Sequence, residues 1–172
     1  MNQYAQPLDA NTVRFERILP AAPERVWEYL VDSDKRAKWL ASGVMEQRPS
    51  GKVTLVFRNT ELPATREPAP EKHKDKEGSG FAATVLECDK PRLLRITWGV
   101  ASEVTFELSP QGKDTRLVLT HRKLPGRTDK VNVSGGWHTH LAILREVLAG
   151  EPVGPFWSRF EKLHAEYERR LD

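Results

Sequence analysis

The residues from 134 to 150 carry an apolar pattern with the period of an α-helix. Apolar side chains at spacings of four, three and four share one helix face, namely Trp137, Leu141, Leu144 and Leu148. At roughly 100° per residue, His140 falls on the edge of this face and His138 falls on the other side. We therefore predict a long helix whose wide apolar face carries one histidine.

Most of the chain before this helix alternates between apolar and polar positions, which is typical of half-buried strands. Strands are predicted at 12–19, 43–50, 51–58, 81–88, 92–98, 103–109 and 115–122. Each strand offers one apolar side to a common interior. The expected fold class is α+β, with a curved antiparallel sheet of about six to seven strands around the long C-terminal helix.

Two short helices are predicted directly after the first strand. The first begins at Pro23, and the second is capped by Ser33 or Asp34 and ends near Trp39. The start of the long helix stays open, because either Thr128 or Ser134 could cap it. The pair at 135–136 is Gly-Gly, which is poor helix material, and a close approach of the helix backbone to the sheet would explain it.

The remaining segments define the domain boundaries. Residues 1–11 lack periodicity and are predicted to be a flexible lead-in to a domain at 12–150. Residues 151–172 are predicted to be a linker and an amphipathic helix, which packs on the domain or contacts a partner. The charged, proline-rich segment 59–80 is interpreted either as a solvated flap or as a lid over a cavity.

Composition and charge exclude several classes of protein. The chain has 172 residues, 38% of them hydrophobic and 30% charged, which suits one soluble domain. The net charge of +3 is spread along the chain, so we expect no nucleic-acid partner. We also expect no membrane span and, without a leader pattern, a cytoplasmic location. The single cysteine, Cys88, excludes an intrachain disulfide.

No motif for catalysis or cofactor binding is present. The sequence has no GxSxG, no P-loop and no GxGxxG, so neither a catalytic residue nor a cofactor is predicted. His138 and His140 stand two positions apart, and on a helix such residues point roughly 200° away from each other. They cannot share one ion, and we predict no metal site.

Several stretches of the sequence resemble the helix-grip fold of the START-like (SRPBCC) superfamily. Within it, the chain resembles the family named for the activator of the heat-shock protein 90 ATPase. The stretches are APERVWEYLVDSDKRAKWL (22–40), KVTLVFRN (52–59), PRLLRITWG (91–99), EVTFELSPQG (103–112), TRLVLTHRKL (115–124) and GGWHTHLAIL (135–144).

The resemblance implies a cavity between the sheet and the long helix. The residues that would face it are Trp39, Phe57, Trp98, Phe106, His121, Trp137, His140, Leu141 and Leu144. Apolar pockets with a few polar groups are the usual form of small-molecule sites. His121 and His140 are interpreted either as core histidines with satisfied hydrogen bonds, as groups that orient a ligand, or as catalytic acids and bases.

Three functions follow from this interpretation. The first is binding of a hydrophobic or amphipathic small molecule in the cavity. The second is a co-chaperone-type interaction that stimulates a heat-shock chaperone ATPase, with a chaperone or a second copy of the chain as partner. The third is a cyclase or hydrolase acting on an aromatic or polyketide-like substrate, which would require His121 or His140 as acid and base.

Overall fold

A computed structural model describes residues 2–172 of the chain. Its seven strands form one antiparallel sheet in the order β1-β2-β7-β6-β5-β4-β3. The strands are β1 (Gln6–Asp9), β2 (Thr12–Leu19), β3 (Lys52–Val56), β4 (Gly80–Asp89), β5 (Leu93–Trp98), β6 (Ser102–Gln111) and β7 (Asp114–Arg122). The helices are α1 (Pro23–Val31), α2 (Ser33–Arg36), α3 (Arg127–Ala149) and α4 (Trp157–Arg170). The predicted α+β architecture is confirmed.

The long helix α3 is buried on two sides rather than one. The predicted apolar face is buried as a whole, including Leu141 and Leu144, which are fully inaccessible. His138 and Thr139, on the side opposite to that face, are buried as well. Tyr4 of the N-terminal segment and Tyr167 of α4 cover His138. The α3 helix therefore forms the centre of the domain, between the sheet and α4.

Two expectations about the strands are wrong. The N-terminal segment contains strand β1, which pairs with β2, although residues 1–11 were expected to lack regular structure. The four residues of β1 are all exposed, so no apolar alternation marks them. Residues 43–50 form only isolated bridges to β3 instead of a strand, and they include Gly43 and Ser50 with positive φ angles.

The α3 helix begins at Arg127, after Gly126, so neither Thr128 nor Ser134 caps it. A close approach of the helix backbone to the sheet was expected at Gly135-Gly136, but the structure shows none. A Cβ atom on Gly135 would lie 3.3 Å from the Phe160 ring, so this glycine permits close packing against α4. A Cβ atom on Gly136 would meet nothing within 4 Å.

The terminal helix packs on its own domain through a buried tyrosine. The Tyr167 hydroxyl accepts a hydrogen bond from the Ala5 backbone N–H at 2.8 Å and lies 2.8 Å from His138 Nδ1. A hydroxyl has one proton, which it donates to His138. One side chain thus links α4, α3 and the segment before β1.

Replacing Tyr167 by Phe is expected to lower the free energy of unfolding by about 2–4 kcal/mol, because a buried N–H and a buried imidazole nitrogen lose their partner. Urea denaturation at pH 7 measures this change. Tyr29→Phe removes the same atom from a buried tyrosine of α1, and we expect it to cost less than about 1 kcal/mol. Equal effects of the two substitutions would contradict the role given to Tyr167.

Candidate functional site

A cavity of about 470 Å³ lies beside α3, at the end of the sheet formed by β3, β4 and β5. The terminal helix α4 and the segment between β3 and β4 form its other walls. Its lining residues are Leu40, Phe57, Asn59, His73, Lys76, Ser79, Gly80, Phe81, Trp98, Asn132, Val133, Gly136, Trp137, His140, Phe156, Trp157 and Phe160.

The sheet side of the cavity is aromatic because three neighbouring strands bring aromatic residues to the same end. Phe57 follows β3, Phe81 is near the start of β4, and Trp98 is the last residue of β5. The Phe81 and Trp98 rings are 5.0 Å apart and meet edge to face. Trp137 of α3 continues this wall, with its ring 4.8 Å from that of Trp98. Such clusters offer large apolar contact areas to a flat ligand.

His140 is the buried polar group of the cavity. Its Nδ1 atom lies 2.7 Å from the backbone carbonyl oxygen of Trp39. Because a carbonyl only accepts, Nδ1 carries the proton and donates it, which leaves Nε2 with a free lone pair. Burial lowers the pKa of His140 to about 4. At neutral pH the side chain is therefore an uncharged hydrogen-bond acceptor.

His121 is fully buried and does not line the cavity. The Trp137 indole N–H donates to His121 Nδ1 at 3.0 Å, so the ring proton is on Nε2 and points to Ser102 Oγ at 2.8 Å. The Ser102 hydroxyl in turn donates to the Trp98 carbonyl at 2.7 Å. Burial lowers the pKa of His121 to about 4. Both nitrogens are occupied, and the histidine positions Trp137 instead of facing a ligand.

Of the predicted lining residues, the structure places Phe57, Trp98, Trp137 and His140 on the cavity. The expectation is wrong for His121 and for four apolar residues that fill the core instead: Trp39, Phe106, Leu141 and Leu144. The void beside Trp39 and Phe106 measures only about 10 Å³, because the core is closed at that depth. The Trp39 indole donates to the Tyr29 carbonyl at 2.7 Å, which holds its ring away from the cavity.

Sequence reasoning named no lining residue from the segment 59–80 or from α4, although a lid over a cavity was one interpretation of that segment. His73 stacks on Trp157 with ring centroids 5.2 Å apart and an interplanar angle of 13°. Burial and the nearby Lys76 lower the pKa of His73. The one feature of the sequence that could have indicated the α4 wall is the apolar stripe of the terminal helix, which includes Phe160. Nothing in the sequence indicated that this stripe faces a cavity.

The segment 59–80 is attached to α4 and to the linker before it. Glu67 Oε1 accepts from the Ser158 backbone N–H at 2.8 Å, and the Trp157 indole donates to Thr60 Oγ1 at 3.1 Å. The Ala64 N–H also donates to the Val153 carbonyl at 3.2 Å. In this conformation the segment is part of the cavity wall.

Other candidate chemistry lies away from the cavity. His138 and His140 point to different sides of α3, toward Tyr167 and toward Trp39 respectively. Burial raises the pKa of the Cys88 thiol, which disfavours the reactive thiolate. Among residues 2–172, no three His, Cys, Asp or Glu side chains are grouped as a metal site would require. No helix in that range is long and apolar enough to span a membrane.

A seven-stranded antiparallel sheet that surrounds a long helix and closes a cavity beside it defines a helix-grip domain of the START-like superfamily. Residues 20–149 match the family described as Activator of Hsp90 ATPase homolog 1-like protein. The chain belongs to this family, as its sequence had suggested. No curated protein matches the sequence.

Solved structures agree with this assignment. The protein encoded by gene BPP1335 of Bordetella parapertussis is 43% identical, with a TM-score of 0.83 over 99% of this chain and 91% of that one. CalU16 from Micromonospora echinospora is 20% identical, with a TM-score of 0.67 over 96% and 93% of the two chains. A protein of unknown function from Enterococcus faecalis is 19% identical, with a TM-score of 0.71 over 96% and 89%. The last two show the fold alone.

Proposed function

We propose that the protein binds a hydrophobic or amphipathic small molecule in the aromatic cavity beside α3. The observation that carries this proposal is a space of about 470 Å³ with aromatic walls and a few buried polar atoms, among them the uncharged acceptor of His140. Small-molecule sites typically measure about 300–1,000 Å³ and combine apolar walls with a few polar groups. The cavity has this size and this composition.

The apolar walls supply a large part of the expected binding energy. Enclosing about 300 Å² of apolar ligand surface yields roughly 7 kcal/mol before the costs of association. Phe156, just before α4, and Trp157 at its start extend the aromatic contact area. Lys76 lies exposed at the mouth, where a cation suits the polar end of an amphipathic ligand. A micromolar Kd corresponds to about 8 kcal/mol net, so ring contacts and hydrogen bonds to polar groups such as His140 must add to the apolar term.

The family description suggests a second function, that of a co-chaperone-type module. The large apolar side chains exposed in residues 2–172 are Leu8, Val44 and Val100, on three separate segments. Capture of a heat-shock chaperone by the purified chain, with stimulation of the chaperone's ATPase, would establish this function. The cyclase or hydrolase alternative would depend on His140 for proton transfer, since both nitrogens of His121 are occupied.

The direct test of ligand binding is native mass spectrometry of the gently purified protein, followed by extraction of any bound molecule. A second test uses 1-anilinonaphthalene-8-sulfonate, an aromatic probe whose fluorescence rises in apolar sites. Trp98, Trp137 and Trp157 line the cavity, so energy transfer from tryptophan reports that the probe is bound to the protein, and substitution of a cavity residue then tests the place of binding. If no adduct is found and the probe does not bind, the proposal is wrong.

Replacing Gly136 by Leu is expected to weaken probe binding at least about tenfold, since each 1.4 kcal/mol of lost contact is a factor of ten. A Cβ atom at this position meets nothing within 4 Å, and the residue lines the cavity, so the larger side chain is expected to occupy ligand volume. Removing a helical glycine also raises helix propensity by about 1 kcal/mol, so the variant should stay folded.

Gly136→Ala is the matched control for this experiment. It adds one carbon, so it should raise stability by about 0.5–1 kcal/mol and keep most of the binding. Fluorescence titration and thermal unfolding measure the two effects. A folded Gly136→Leu protein that binds the probe as tightly as the unmodified chain would place the probe outside the cavity.

A further inference from the structure

We propose that His140 selects aromatic ligands that carry a hydrogen-bond donor, such as a phenol-like hydroxyl, which donates to its Nε2 atom. This inference rests on the proposed function and adds the chemical class of the ligand. The donor must be on the ligand, because His140 Nε2 has no hydrogen-bond partner among residues 2–172.

The protonation state of His140 is fixed by the protein. Its Nδ1 atom donates to the Trp39 carbonyl at 2.7 Å, and the ring is only 6% exposed. Its ring centroid is 6.4 Å from Phe57 and 5.0 Å from Phe156, two aromatic residues of the cavity wall. A neutral imidazole has one donor and one acceptor, so the atom left for a ligand is an acceptor.

Two further polar atoms of the cavity lining lack partners. Asn59 Oδ1 and His73 Nδ1 are buried, and neither has a hydrogen bond to any part of the chain from 2 to 172. An unsatisfied buried polar atom is unfavourable, and a ligand can relieve this by hydrogen bonding to it. The indole N–H groups of Trp137 and Trp157 already donate within the protein. The lining therefore offers a ligand a free acceptor at Asn59 Oδ1 and an unpaired nitrogen at His73, besides His140 Nε2, while these two indole donors are already taken.

The walls favour a flat ring as the carrier of that donor. Phe57, Phe81 and Trp98 form one wall, and the aromatic residues of α4 form another. Aromatic rings gain additional energy from offset or edge-to-face contacts with such walls. An alkyl chain would gain apolar burial but would leave His140 Nε2 unpaired. A hydroxylated aromatic molecule satisfies both requirements.

The test compares 2-naphthol with 2-methylnaphthalene, which share a ring system and differ by hydroxyl against methyl. Both are titrated against the bound anilinonaphthalene sulfonate probe, with the unmodified chain and with His140→Asn. The Asn amide can still donate to the Trp39 carbonyl, but it places no acceptor at the position of Nε2. We expect the ratio of naphthol to methylnaphthalene affinity to fall about fivefold to tenfold in the variant.

A second measurement does not depend on the variant. In ¹⁵N NMR spectra, the Nε2 resonance of His140 should shift when 2-naphthol is added and stay in place with 2-methylnaphthalene. An unchanged affinity ratio in a folded His140→Asn protein, or equal shifts with both probes, would overturn the inference and leave the proposed function standing. If neither a bound molecule in native mass spectrometry nor binding of the sulfonate probe is found, the proposed function fails first, and the inference fails with it.

Discussion

Lowering the pH from 7 to about 4.5 is expected to reduce the free energy of unfolding by roughly 6 kcal/mol. The reason is a set of three buried histidines: His121, His138 and His140. Burial lowers the pKa of each of them to about 4, with a smaller contribution from nearby arginines at His138. A typical domain is stable by about 5–15 kcal/mol, so this effect is large.

The sign follows from proton uptake. In the unfolded chain, histidine has a pKa near 6.5 and takes up a proton as the pH falls below that value. In the folded protein the three imidazoles stay neutral until about pH 4. Between these values the unfolded state binds more protons, so stability falls as the pH falls. The stabilising contribution is fully present above about pH 6.5.

Urea denaturation at pH 7, 6, 5 and 4.5 measures this dependence. His138→Gln removes one titrating group and should reduce the slope of stability against pH by about one third, because three groups contribute. The variant is also expected to be less stable at pH 7, since the Tyr167 hydroxyl loses its acceptor. If replacing each histidine in turn leaves the slope unchanged, the buried histidines do not cause the acid sensitivity.

The fold followed from the sequence because the periodicities reflect burial directly. The alternation in β2, β5, β6 and β7 and the apolar face of α3 are local patterns, and the structure confirms the elements that they predict. Strand β1 was not predicted, because all four of its residues are exposed. Hydrophobic periodicity detects a strand or helix by its buried side, and a fully exposed edge strand has no buried side.

The site was harder to predict because it depends on how elements meet. Trp39 and Trp98 are both tryptophans near the ends of elements, yet Trp39 is fully buried in the core and Trp98 lines the cavity. The difference is set by long-range contacts, such as the hydrogen bond from the Trp39 indole to the Tyr29 carbonyl. His138 is likewise buried by parts of the chain far from it in sequence, namely Tyr4 and Tyr167 of α4. Neither contact can be predicted from the residues next to it in the sequence.

Replacing Arg36 by Met is expected to destabilise the protein by about 3–5 kcal/mol and to weaken ligand binding. The Arg36 side chain is 1% exposed, and its guanidinium donates to four backbone carbonyl oxygens. These belong to Leu30 (3.1 Å), Val31 (3.2 Å), Ala41 (3.0 Å) and Gly43. Burial lowers the pKa of Arg36 to about 10, so it stays charged at pH 7.

This arginine holds the turn after α2 in place, and that turn supplies the Trp39 carbonyl to which His140 donates. A methionine fills a similar volume but leaves the four carbonyls without a donor, so both stability and the orientation of His140 should suffer. Arg48→Met is the matched control, because the Arg48 side chain is 63% exposed and pairs only with Glu46; its effect should stay below about 1 kcal/mol. Equal urea midpoints for the two variants, with unchanged probe binding in Arg36→Met, would show that the guanidinium does not position the site.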